Sequence, residues 1–233
     1  MAHVRKNQKD LSQNEWQKFI SSINKLHRND AGTPDYDDFV EVHLAAMESM
    51  EGMDWRVHSM NHGGQFMPGK NFLAWHRQYL ARFEKRLRDV EPGVALPYWD
   101  AVENPNIPNP LEDPALLNKW EISRSWSDDD LPTIEDWRGT KRRKTFAAFQ
   151  RRLEFMHNDV HVAVGGDMQT AASPKDPLFW LHHCNVDRLW SKWQKDHPTA
   201  KPNNTDEKLQ PPPLLDIKVA KVLKTEDLGY TYA

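Results

Sequence analysis

Apolar positions recur at intervals of three and four over five stretches of the chain, and the segments between them carry Pro and Asn rather than strand-like alternation. That period predicts amphipathic helices and a mainly α fold. A first helix is expected through WQKFISSINKLH, opened by Ser12-Gln-Asn-Glu15, a capping box that satisfies backbone N–H groups at the helix start. A second begins at GTPDYDDFVEVH, with Thr33 as cap, Pro34 at the first helical position, and Asp35, Asp37 and Asp38 at the positive end of the dipole. In NFLAWHRQYLARFEKRLRDV, residues Leu73, His76, Leu80, Phe83 and Leu87 share one inward face. FAAFQRRLEFMHNDVHV repeats the arrangement with Phe146, Phe149, Leu153, His157 and His161, and Gly165-Gly166 closes the helix. In the last helix Asp176 is the expected cap and Pro177 the first residue. Its stripe of Phe179, His183, Val186, Trp190 and Trp193 selects His183 over His182. The Pro-rich segments 103–114 and 198–214 are expected as loops packed over the helices.

The length of 233 residues suits one domain, taken as 1–233. A net charge of −3, with acidic and basic residues mixed along the chain, gives no reason to expect nucleic acid or an anionic membrane as partner. The basic run KRRK (141–144) reads as a solvated helix start. The single cysteine, Cys184, excludes an internal disulfide and reads as a small buried filler. No apolar run approaches a membrane span, and MAHVRKNQKDLS lacks the apolar middle of a signal peptide, so a cytoplasmic location is the default expectation.

Histidine changes the picture. His43, His76, His157 and His183 fall one each on four helices, each on the inward face of its own stripe. A neutral imidazole is tolerable in a core only if both nitrogens find partners, which a metal on one and an acceptor for the proton on the other would supply. His157 and His161 stand on adjacent turns, about 6 Å apart along the helix axis, so they can share an ion, and His183 completes a group of three. His43 and His76 then lack a third member, and RVHSMNHGGQFMPGK offers His58 and His62. All-imidazole donors suit copper, nickel, iron or zinc rather than magnesium or calcium. Two adjacent groups with open positions favour copper, since two such metals can take O2 between them and supply one electron each. A zinc pair would imply hydrolysis and usually a bridging carboxylate, which the inward stripes lack.

These motifs resemble the tyrosinase family of type 3 copper proteins, which includes tyrosinases, catechol oxidases, o-aminophenol oxidases and, more distantly, molluscan haemocyanins. FLAWHRQYLARFE (72–84) is similar to the family's first copper motif; LEFMHNDVHVAVGGDM (153–168) and SPKDPLFWLHHCNVDRLWSKWQ (173–194) are similar to the second. The resemblance implies a four-helix core around a dinuclear copper site, with His43, a loop histidine and His76 on one ion and His157, His161 and His183 on the other. His62 is the expected loop ligand, because NHGG resembles the family's small-residue context, although an insertion separates it from FLAWHR. The thioether that some relatives form at this histidine is not expected, since Cys184 lies beside the other copper. Asn158 is implied as the residue that orients a water and Glu154 as the carboxylate that activates it, whereas Asp187 and Arg188 read as structural. Tyr230 and Tyr232 resemble the tyrosine pair that closes the core, packed against Arg5. The implied activity is ortho-hydroxylation of small phenols with O2 as co-substrate and oxidation of o-diphenols to quinones. The alternatives are a narrower oxidase of catechols or o-aminophenols, or an O2 carrier without turnover. No shielding domain or caddie is expected within these residues, and oligomeric state is left open.

Overall fold

Among the described residues seven α-helices carry the fold: α1 (Gln13–His27), α2 (Tyr36–Glu48), α3 (Phe72–Val90), α4 (Pro114–Lys119), α5 (Ile134–Lys141), α6 (Phe146–Val164) and α7 (Leu178–Asp196). The structure, a computed structural model, describes residues 2–28, 32, 34–48, 57–210 and 215–233. Among these residues two short pairs of strands accompany the helices. β1 (His3–Arg5) runs parallel to β4 (Tyr230–Tyr232), with His3 opposite Tyr230, and β2 (Met60–His62) runs antiparallel to β3 (Gln65–Met67).

The helix starts follow local chemistry. Ser12 accepts the Glu15 N–H while the Glu15 carboxylate accepts the Ser12 N–H, so the expected capping box opens α1. The start of α2 differs from the sequence expectation. Asp35 Oδ1 accepts the Asp38 N–H at 3.1 Å and Asp38 Oδ2 accepts the Asp35 N–H at 2.8 Å, so Asp35 caps the helix; Thr33 lies outside the described residues. Asp176 Oδ1 accepts the Leu178 N–H at 2.9 Å and, held by Arg124 at 2.6–2.7 Å, caps α7 as expected. Gly165 ends α6 at φ 66°, where a Cβ would stand 2.0 Å from Ser125 Oγ.

Helices α2, α3, α6 and α7 surround one continuous apolar cluster. Phe83 stacks on Trp180 at 3.5 Å between ring centroids, Phe149 stacks on Trp193 at 4.3 Å, and Phe39 meets both Phe83 and Trp180 edge-on. α7 is buried nearly all round from Leu178 to Trp190, which the single-stripe reading did not anticipate. A helix enclosed by neighbours needs apolar residues on every face. α4 and α5 lie outside the helices the period predicts. Asp113 accepts the Ala115 N–H ahead of Pro114, and Thr133 and Asp136 form a capping box, but both helices are too short to show a period. KRRK lies at the junction of α5 and α6 and is exposed, rather than opening a helix.

Beneath the β1–β4 pair lies a buried ionic network. Arg5 donates to Glu84 at 2.7 Å and to Tyr232 Oη at 3.1 Å, and its guanidinium sits 3.5 Å over the Tyr230 ring. Tyr230 and Tyr232 each donate to Asp187 Oδ2 at 2.6 Å, while Arg77 Nε donates to Asp187 Oδ1 at 2.5 Å. Arg188 Nη1 donates to Asp100 at 2.9 Å and to Asn185 at 2.7 Å. Asp187 and Arg188 thus fix α7 to the rest of the chain and do not touch the histidine cluster. Cys184 is buried against Leu96, Arg5 and Tyr232, and burial pushes its thiol up to about 12. Among the described residues no helix is long and apolar enough to cross a membrane.

Candidate dinuclear metal centre

One imidazole from α2, one from the segment after it and one from α3 converge. Ligand nitrogens of His43, His58 and His76 lie within 4.8 Å of one another, and His43 Nε2 stands 3.1 Å from His58 Nε2. Opposite them, His157 Nε2 and His161 Nε2 of α6 lie 3.1 and 3.3 Å from His183 Nε2 of α7. The two groups face each other: His76 stacks on His183 at 4.2 Å between centroids, and His58 lies 5.5 Å from His157.

Five of the six expected ligands therefore come together. Among the described residues the third imidazole beside His43 and His76 is His58, where His62 was expected. The backbone of His62 pairs with Gln65 in the β2–β3 hairpin, ahead of Gly63-Gly64, and its side chain is outside the described residues. The small-residue context that pointed to His62 belongs to this hairpin turn, with Gly63 and Gly64 at φ 57° and 78°. His182 also comes within 4.8 Å of the ligand atoms of His157 and His161. His183 is the better third member, because its Nε2 makes the short approaches and its ring continues to His76.

The hydrogen bonds on the far side of the rings decide what the site can hold. His43 Nδ1 lies 2.7 Å from Ala171 O, His76 Nδ1 2.8 Å from Phe72 O, and His161 Nδ1 2.6 Å from Met168 O. A carbonyl only accepts, so each Nδ1 carries the proton and each Nε2 presents a lone pair. His157 Nδ1 donates in the same way to Asn158 Oδ1 at 3.0 Å. Lone pairs converging from several directions repel unless a cation stands between them. Imidazole–metal bonds of about 2.0–2.1 Å at a tetrahedral angle put two nitrogens roughly 3.3 Å apart, close to the separations of 3.1–3.3 Å seen here. The orphaned Nε2 of buried His76 is explained on the same terms. Burial pushes His43 and His161 down to about 4 and His58, His76, His157 and His183 well below their ordinary value, so all six are neutral donors at neutral pH. The donor set fits a pair of copper ions.

A cavity of about 450 Å³ opens onto this centre, lined by His43, His58, His157 and His161 and walled by Met47, Asn158, Val162, Met168, Thr170 and Ala171. Its volume is in the usual range for small-molecule sites, roughly 300–1,000 Å³. Thr170 and Ala171 line the cavity; the described part of the 198–214 loop packs on the start of α3, where Trp75 Nε1 donates to Gln210 O at 2.6 Å. Asn158 lies on the wall, its Nδ2 donating to Ser59 Oγ at 3.3 Å. Glu154 is fully buried and is not part of that wall; Gly69 N donates to its carboxylate at 3.0 and 3.3 Å.

Comparisons with known proteins agree with this geometry. The family model for the common central domain of tyrosinase matches residues 33–129 and 112–196. A tyrosinase of Streptomyces glaucescens is 32% identical, with 84% of each chain covered, and grixazone synthase of Streptomyces griseus is 29% identical over 85% of this chain and 86% of its own. A functional unit of octopus hemocyanin superposes over 99% of this chain and 68% of its own at a TM-score of 0.79 and 23% identity, which shows a shared fold. The family model covers every helix that carries one of the converging histidines, and so the chain belongs to the tyrosinase family of dicopper oxidoreductases.

Proposed function

We propose that this chain is a phenol oxidase of the tyrosinase type, which ortho-hydroxylates monophenols and oxidises the resulting o-diphenols to o-quinones. The observation that carries the reading is the open cavity on the histidine cluster: His58 and His161 keep 8% and 9% of their surface exposed at its floor, so a small molecule can reach them. An oxygen carrier needs no such room beside its metals. A copper pair would be held by His43, His58, His76 and by His157, His161, His183, and would supply O2 binding and two-electron oxidation.

The protein's own residues do the rest. Met47, Val162 and Met168 offer apolar surface to an aromatic ring, while Thr170 and Ala171 narrow the entrance. A monophenol must lose its hydroxyl proton before it can bind a metal, whereas a catechol is oxidised more easily, so a polar group on the wall matters for the first reaction. Asn158 is that group. Its Oδ1 is committed to His157 Nδ1, and its amide nitrogen faces Ser59, a pairing suited to orienting the water that takes the proton. Glu154, one turn earlier on α6, accepts the Gly69 N–H, which supports a part for it in holding the loop.

The test is to load the protein with copper and follow tyrosine, catechol and an o-aminophenol under O2. Quinone formed from tyrosine supports the proposal. Product from only the other two reduces the activity to that of a narrower oxidase, and a reversible O2-dependent absorption change without product makes the chain a carrier.

A further inference from the structure

Gly69 holds a position in the fold out of proportion to its size. Its carbonyl accepts from Gln150 Nε2 at 2.7 Å and from Phe72 N at 3.1 Å, and its N–H donates to Glu154 at 3.0 Å. Gln150 and Glu154 are one turn apart on α6, both buried, so a single helix face grips both backbone polar groups of this glycine. On its third side the glycine touches the backbone of the loop ligand: a Cβ there would stand 2.7 Å from His58 N, 2.8 Å from His58 C and 2.8 Å from Val57 C.

This arrangement joins parts that belong to different ions. His58 sits in a bend, without helical hydrogen bonds to fix it. Gly69 supplies the surface against which that bend rests and also accepts the first N–H of α3, the helix of His76. The grip itself comes from α6, which carries His157 and His161 of the other ion. We propose that Gln150 and Glu154 are positioning residues for the first copper: acting through Gly69, they hold His58 at ligand distance and lock the first ion's loop to the helix of the second. The inference rests on the dicopper reading of the histidine cluster. It gives Glu154 a role that depends on a hydrogen bond accepted from Gly69 and not on taking up a proton.

The experiment measures copper per chain and the EPR signal of the oxidised protein, in which a coupled copper pair is silent and a lone Cu(II) is visible. Glu154→Leu and Gly69→Ala are expected to weaken the first copper by at least roughly tenfold, the size found when groups that orient ligands are removed. Both variants should move from two coppers per chain towards one and gain the lone-Cu(II) signal. Glu154→Gln keeps an amide oxygen to accept the Gly69 N–H and should retain two coppers and a silent spectrum. Gln150→Leu, the milder change, should weaken the first copper without unfolding, as followed by circular dichroism. The inference is overturned if Glu154→Leu and Gln150→Leu both hold two coppers as tightly as the parent, if both ions are lost together, or if Glu154→Gln behaves like Glu154→Leu. A parent protein that took up no copper would sink the dicopper reading itself, and this inference with it.

Discussion

Removing one carboxylate should do more harm to this fold than removing any surface charge. Asp187, 3% exposed, accepts from Arg77 Nε, Tyr230 Oη and Tyr232 Oη at 2.5–2.6 Å and lies 3.7 Å from Arg5 Nη1. In Asp187→Ala two buried guanidinium groups lose a counter-charge, and one buried and one part-buried hydroxyl lose their acceptor. Breaking a buried pair from one side costs about 3–5 kcal/mol, and each unsatisfied hydroxyl adds about 1–3 kcal/mol. Part of this is recovered, because Arg77 Nη1 still donates to Gln194 at 3.1 Å and Leu223 O at 2.7 Å, and Arg5 still has Glu84. A net loss of about 4 kcal/mol follows, which for a domain of this size lowers Tm by roughly 8–16 °C. The matched control is Asp89→Ala, whose partner Lys85 is 67% exposed and whose own side chain is 42% exposed, with an expected cost below about 0.5 kcal/mol. Thermal unfolding by far-ultraviolet circular dichroism, at equal copper loading, compares the two. If Asp187→Ala melts within 3 °C of Asp89→Ala, by a margin set from that scaling, the buried network does not hold the chain ends as argued.

Three further outcomes are expected. His58→Ala should bind one copper per chain and His62→Ala two, measured by metal analysis; the opposite pattern would return the loop ligand to His62. Burial alone would push the Glu84 carboxyl up, but the Arg5 charge and the hydrogen bonds from His3 and Arg5 outweigh it and bring it down to about 2. A carboxylate held below its unfolded value of about 4.5 stabilises the fold above that pH and loses the contribution as pH falls towards about 2, a span worth about 3 kcal/mol. Denaturant titrations between those limits should show a shallower pH slope for Glu84→Gln than for the parent, and equal slopes would contradict the network. Gly166 sits at φ 57° and a Cβ there would meet Ser123 O at 2.2 Å, so Gly166→Ala should cost more than about 2 kcal/mol and shift the denaturant midpoint accordingly.

The sequence reveals the parts of this molecule that obey a period. His43, His76, His157 and His183 stand on helices whose apolar stripes aim them inward, and the caps at Ser12 and Asp176 follow from local hydrogen bonding. His58 lies where no period operates, and its proximity to His43 depends on Gly69, eleven residues on in the chain, fitting against its backbone. Spacing rules cannot see such a contact, and the neighbouring NHGG pattern reports the hairpin turn instead. The carbonyls of Ala171 and Met168 that anchor His43 and His161 are equally silent in sequence, because every residue has a carbonyl. Thr133 and Asp136, by contrast, form a start signal for α5 that is readable in the sequence, but no long apolar stripe follows it.

The anchoring of His43, His76 and His161 through backbone carbonyls has a consequence for metal choice. Rings whose tautomer is set by the main chain present uncharged donors whichever divalent ion arrives, so donor charge does not separate Cu(II) from Zn(II), and the choice rests on geometry, metal availability and intrinsic affinity, where Cu(II) outranks Zn(II). Zinc in excess would therefore occupy the same cradle and leave a correctly folded but redox-silent protein. Activity per chain reports the metal supply during synthesis as much as the quality of the fold.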